Sequence, residues 1–239
     1  MDSFLIALQF LTRIPVNDHH PANTTSPGQS VLYYPAVGLL LGALLSLMPL
    51  LLTDASPLLL AALVLSAWVL LTGGLHLDGL ADCADAWVGG YGNRQRSLQI
   101  MKDPAAGPIA VSLLVLVLML KFAALTTMLE QDRLAPLLLA PVLGRAAILV
   151  LMLTTDYVRP QGLAENLLQT LPVTPARWVL AGCVFVVLIS LGLPSLAAGG
   201  LLLFWVRQTA LARLGGATGD VYGAAVELVE AGVLIAAVL

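Results

Sequence analysis

Asp78, Asp82 and Asp85 stand in the run Gly73-Gly74-Leu75-His76-Leu77-Asp78-Gly79-Leu80-Ala81-Asp82-Cys83-Ala84-Asp85. Their spacing of i, i+4 and i+7 places all three within about 60° of arc on a 3.6-residue helix. Between them lie only Gly, Leu, Ala and Cys, with no basic residue four positions away on either side. Carboxylates this close repel one another until a cation binds them. Oxygen ligands without cysteine or histidine pairs suit Mg²⁺ or Mn²⁺. A solvated helix face would mix in Lys, Glu and Gln. The preferred reading is a metal site, in a membrane enzyme acting on a phosphorylated substrate, with Asp78, Asp82 and Asp85 as ligands. Gly79, having no Cβ, would let phosphate or metal approach the backbone.

Two further segments carry chemistry. In Ile100-Met101-Lys102-Asp103-Pro104-Ala105-Ala106-Gly107-Pro108, Lys102 offers a cation for phosphate. Asp103 offers a carboxylate for metal or for general-base work, although such a pair also suits an interfacial anchor. Gly215-Gly216-Ala217-Thr218-Gly219-Asp220 reads as a glycine-rich loop whose N–H groups, at Gly216, Thr218 and Gly219, would bind phosphate oxygens. Asp220 and Glu227, seven apart, share a helix face and could add metal ligands; helix capping and tight interhelical packing are the competing explanation. Arg145 sits mid-span and needs an acidic or phosphate partner, so it is a candidate for substrate binding. Arg13 could reach phosphate or lipid headgroups. Lys121 suits a structural ion pair, and His76 a hydrogen-bonded place at a helix entry.

The elements that must position these residues are membrane helices. The chain has 239 residues, of which 59% are hydrophobic and 10% charged. Soluble domains carry about a quarter charged residues, so lipid must solvate much of this surface. A net charge of −3 argues against nucleic acid as a partner. Two cysteines make no disulfide framework. Asn23-Thr24-Thr25 matches a glycosylation acceptor, a pattern short enough to arise by chance. The N-terminus lacks a basic stretch and a cleavage site, and 4–11 reads as a short amphipathic or partly inserted helix.

Apolar runs at 31–52, 57–75, 108–129, 134–154, 176–206 and 221–239 approach the roughly 20 residues needed for a crossing. The run at 176–206 is long enough for two short helices broken near Pro194; as one helix it would invert all that follows. The fold class is therefore all-α, a polytopic bundle of about six to seven transmembrane helices in one catalytic domain, 1–239. Three helical hairpins and a final helix put the longer segments 1–30, 74–107, 155–175 and 207–220 on one side. Arg13, Arg94, Arg96, Lys102, Arg159, Arg177, Arg207 and Arg213 fall on that side and only Arg133 on the other. The positive-inside rule makes the long-segment side cytoplasmic.

These segments, in this order, resemble the cobalamin synthase family, the adenosylcobinamide-GDP ribazoletransferases. The matching pieces are Phe10-Leu11-Thr12-Arg13-Ile14-Pro15-Val16, Tyr33-Tyr34-Pro35-Ala36-Val37-Gly38, His76-Leu77-Asp78-Gly79-Leu80-Ala81-Asp82 with Asp85, Ile100-Met101-Lys102-Asp103 with Gly107, Gly144-Arg145, and Gly215-Gly216 to Gly223-Ala224. Two departures are Ala86, where a glycine is usual, and Pro104, where a serine is frequent. The resemblance implies a Mg²⁺-dependent transferase in the bacterial cytoplasmic (inner) membrane. It would join adenosylcobinamide-GDP to α-ribazole or its 5′-phosphate and release GMP in the last steps of coenzyme B12 assembly. Asp78, Asp82 and Asp85 would hold Mg²⁺, with Asp220 and Glu227 adding to the set. Asp85 or Asp103 would take the hydroxyl proton, and Arg145, Lys102 and the 215–220 loop would hold phosphate. A homo-oligomer and association with upstream nucleotide-loop enzymes are compatible with this reading. The competitors are a CDP-alcohol phosphotransferase-like enzyme, which carries an arginine where Asp82 stands, and a cation transporter, which would show repeat symmetry and acidic residues deep in several spans.

Overall fold

The computed structural model describes residues 2–16, 27–159 and 162–239; the Asn23-Thr24-Thr25 pattern lies outside these. Helices α1 (Asp2–Leu11), α2 (Pro27–Ser30), α3 (Tyr34–Leu51), α4 (Pro57–Thr72), α5 (Leu75–Gly89) and α6 (Arg94–Ile100) form the first half. Helices α7 (Pro108–Glu130), α8 (Ala135–Thr154), α9 (Leu163–Gln169), α10 (Val173–Leu214) and α11 (Gly219–Val238) form the second. Prolines open several of them, where the missing N–H costs nothing: Pro57 after a Ser56 cap that accepts from the Leu59 N–H, Pro108, and Pro136.

Five helical segments are long and apolar enough to cross a membrane: 27–51, 108–130, 135–154, 173–214 and 219–238. A sixth candidate, α4, continues into α5 through an 87° bend. At 1.5 Å per residue α4 alone reaches about 24 Å. The 42-residue α10 would extend about 63 Å if straight, twice the hydrocarbon core. It is broken at Gly192, whose φ of 78° and ψ of 178° are open only to glycine, two residues before Pro194. Its start follows Thr170, whose hydroxyl accepts from the Gly28 N–H at 2.9 Å. Its end lies at Arg94, whose Nε donates to the Leu214 carbonyl at 2.6 Å. Both limbs thus return to one side, as two helices broken near Pro194 require, and counting them separately brings the crossings to seven.

The long connecting segments converge on that same side. Asp156 and Val158 pair with Ala217 through backbone hydrogen bonds of 2.8 and 2.9 Å, and the Arg13 N–H donates to Leu71. Helices α8 and α11 form the centre of the bundle, while α10 turns Trp178, Phe185, Ile189, Leu201 and Phe204 outward to lipid. The difference follows from side-chain size. Gly144, Ala146 and Ala147 on α8, and Gly223, Ala224, Ala225, Ala231 and Gly232 on α11, let neighbouring backbones approach.

The core also holds three of the candidate residues in ion pairs. Lys121 Nζ donates to Glu227 Oε2 at 2.6 Å and Glu230 Oε2 at 2.7 Å, and sits 4.8 Å from the Trp68 ring centroid. Arg145 Nη1 contacts Glu230 Oε1, and Arg145 is fully buried. Two cations and two anions meet here, tying α7, α8 and α11 together, with Arg145 Nε and Nη2 left without a hydrogen-bond partner among the described residues. Arg145, read from the sequence as a substrate contact, and Glu227, read as a metal ligand, each have a buried partner of opposite charge. Lys121 takes the structural ion pair expected of it.

Candidate active site

The bend between α4 and α5 is made by two consecutive left-handed glycines, Gly73 (φ 63°) and Gly74 (φ 70°). It turns α5 across the first residues of α7 and α11 rather than alongside the spans. Its contacts show this: Asp85 meets Gly107 and Ala110, at the start of α7, and Gly79 meets Asp220, at the start of α11. The helix therefore lays its aspartates over the ends of the bundle, where the longer segments gather.

Asp78 is exposed, and Asp82 and Asp85 are half-buried. A Cβ at Gly79 would lie 2.7 Å from the Asp220 carbonyl oxygen. Gly79 lines the cavity described below, and its small size is used to admit α11 rather than a ligand. That contact sets Asp220 beside Asp78 and Asp82. Arg159 Nη1 donates to Asp220 Oδ2 at 3.1 Å, and the Thr218 hydroxyl donates to the same oxygen at 3.3 Å. Thr218 also accepts from the Val221 N–H and so caps α11. The Asp82 carboxyl is pushed up to about 7, first by burial, then by Asp220 and Asp78, with Arg159 opposing and Asp85 adding a smaller push.

The remaining candidates divide. Asp85 Oδ2 accepts from the Gly107 N–H at 2.5 Å and Oδ1 from the Ala110 N–H at 3.0 Å. It closes the positive end of α7, so its sequence-based roles as metal ligand and general base meet a carboxylate already engaged. Asp103 is exposed and accepts from the Ala105 N–H within its own turn, which sets it apart from the other aspartates. Lys102 lines a small cleft of about 60 Å³ together with Arg159, Thr218 and Asp220. Gly216 is packed against the Asp156 carbonyl and Val158, leaving no room for phosphate there. Gly219 is open, and as the first residue of α11 its N–H lacks an intrahelical acceptor. Arg13 is exposed and packs over Gly73 at the α4–α5 bend.

A cavity of about 390 Å³ opens beside the aspartates. Asp78, Arg159 and Asp220 form its charged part, with Gly219 beside them, and Phe10, Tyr34, Tyr157 and Tyr222 are among its aromatic walls. His76 lines it too, buried, with neither ring nitrogen hydrogen-bonded among the described residues. This corrects the expectation of a hydrogen-bonded helix-entry histidine. Arg159 and the tyrosines were not among the sequence candidates. Tyr157 and Arg159 stood only as Asp156-Tyr157-Val158-Arg159 in a polar segment, where the arginine counted toward topology alone, and Tyr34 and Tyr222 lay within matched pieces without a role of their own.

Among the described residues no three acidic, histidine or cysteine side chains are arranged to enclose a metal ion. The donor set nevertheless fits Mg²⁺. It consists of oxygen only, and its carboxylates outnumber the one arginine among them. Mg²⁺ commonly binds through one or two carboxylates plus substrate phosphates and retained waters, with no full protein cage.

A polytopic helical membrane protein with clustered carboxylates and an arginine beside a cavity has the components of a phosphoryl-handling membrane enzyme. The chain belongs to the cobalamin-5-phosphate synthase family, whose model matches residues 3–238. It is 54% identical over 235 residues to the adenosylcobinamide-GDP ribazoletransferase of Stutzerimonas stutzeri, covering 97% of this chain and 95% of that one. It is 54% identical over 232 residues to the like-named protein of Pseudomonas putida, covering 97% and 96%. The Pseudomonas aeruginosa protein of the same name shares 52% over 240 residues, covering 99% and 98%. No solved structure matches the chain.

Proposed function

We propose that this protein joins adenosylcobinamide-GDP to α-ribazole or its 5′-phosphate, yielding adenosylcobalamin or its 5′-phosphate and GMP. The observation that carries the reading is the meeting of Asp78 and Asp82 on α5 with Asp220 and Arg159, three of which (Asp78, Asp220 and Arg159) line one cavity. A ribose hydroxyl oxygen of the acceptor forms a bond to the phosphorus nearer the cobinamide. The bond from that phosphorus to the bridging oxygen breaks, and GMP leaves with the electron pair. One carboxylate of the set takes the hydroxyl proton. Arg159, Lys102 and the Gly219 N–H hold phosphate oxygens.

Asp78, Asp82 and Asp220 would hold Mg²⁺, which when bound offsets the pyrophosphate charge and that of the departing GMP. Asp85 acts as a positioning residue, locking α5 to α7. The basic residues on the long-segment side support a cytoplasmic site in a bacterial inner membrane.

Turnover by the liposome-embedded protein tests the proposal, with both substrates and Mg²⁺ present. GMP release with a new cobalamin, lost with EDTA and in Asp82→Ala, is expected. No product from folded wild-type protein would overturn it.

A further inference from the structure

His76 is 3% exposed and Tyr222 5% exposed, and both line the 390 Å³ cavity. Neither His76 nitrogen nor the Tyr222 hydroxyl has a hydrogen-bond partner among the described residues. Leaving three polar atoms buried and unpaired is costly, and the cost makes sense if a ligand completes them. The walls indicate what kind of ligand. Tyr157 and Tyr222 stack with centroids 6.2 Å apart at 27°, and Phe10 and Tyr34 with centroids 6.1 Å apart at 20°. Leu11, Ile148 and Met152 fill in between. Two aromatic pairs on an apolar lining accept a flat, weakly polar ring.

We infer that this cavity is the acceptor site, holding the aromatic base and ribose of α-ribazole with His76 and Tyr222 as its hydrogen-bonding contacts. The inference rests on the transfer reaction proposed above. The donor's large groups fit the cavity less well. Its volume lies near the lower end of the roughly 300–1,000 Å³ usual for small-molecule sites, and a corrin ring with its amide arms exceeds it. Guanine would bring a dense edge of donors and acceptors that these walls leave unmatched. Placing the base inside directs the ribose hydroxyls toward Asp78, Asp220 and Arg159, where the phosphorus must be. The corrinoid then approaches from outside the cavity.

The test uses the full chain in nanodiscs, with Tyr222→Phe, His76→Leu and Ile148→Trp. Calorimetric binding of α-ribazole without donor is measured first, then both KM values. Each of the first two variants should weaken acceptor binding about fivefold or more, the scale of one lost hydrogen bond. Their donor KM should stay within about twofold and their thermal midpoint hold or rise, because they remove unpaired buried groups. Ile148→Trp should abolish acceptor binding. The idea is overturned if wild type binds no α-ribazole, or if the variants raise the donor KM and leave the acceptor unmoved. If wild type binds α-ribazole through Tyr222 and yet does not turn over, the site stands and the proposed reaction falls.

Discussion

Burial, and then the charges of Asp220, Asp78 and Asp85 with Arg159 opposing, push the Asp82 carboxyl up to about 7. A cation entering below that pH must displace a proton. Mg²⁺ affinity should therefore climb about tenfold per pH unit up to 7 and level off above it, with proton release seen by calorimetry in two buffers. The same raised value has a stability consequence. The folded protein keeps a proton there that the unfolded chain loses, so the group's contribution is full below about pH 4 and lost as pH rises through 7. At pH 8 without metal, Asp82→Asn should hold or raise the thermal midpoint while turnover disappears. A fall in both would mean that Asp82 supports the fold. At this scale the aspartate spacing was readable from sequence, since i, i+4, i+7 can be laid on a helix by arithmetic. Arg159 was not, because a lone arginine in a polar segment looks the same whether it faces solvent or a carboxylate 61 residues away.

Helix α5 is held at both ends of its acidic face by different neighbours. Asp85 bonds the first N–H groups of α7, and Gly107 gives it room, since a Cβ there would stand 2.8 Å from the carboxylate oxygens. Asp85→Ala should cost about 1–2 kcal/mol, the range for a lost N-terminal cap. Thermal melts should show the drop, in contrast to Asp82→Asn. The ion cluster in the core predicts a larger effect. Glu230→Ala leaves Arg145 and half of Lys121 without a counter-charge and should destabilise by about 3–5 kcal/mol. Reduced yield of folded protein is the readout, whereas a substrate-binding Arg145 would leave yield normal in Arg145→Ala and raise KM. The spans and their hairpin order were legible in hydropathy and linker length. The partners of Arg145 and Glu227 were not, because a buried charge announces that it has a partner without saying which.

Across the whole molecule, the break at Gly192 and the shared side of the long segments give one face to all the proposed chemistry. Single cysteines at Ala106 and at Gln169, both exposed, with Cys83 and Cys183 replaced by serine, should react with an impermeant thiol reagent from the same side of sealed vesicles. One at Asp132 should react from the other. Opposite-side labelling of Ala106 and Gln169 would refute the arrangement.

Asp78 and Asp220 come together although most of the chain separates them, and α11 is made long after α5. A nascent chain that has inserted everything through α10 carries the acidic stretch of α5, but the Asp220 side of the site is not yet in place. The enzyme therefore gains activity in one event, when α11 seats, and loses it whole when that helix is removed. Truncation at Gly215 should yield an inserted and inert protein, and supplying α11 as a separate peptide should restore the site from two pieces.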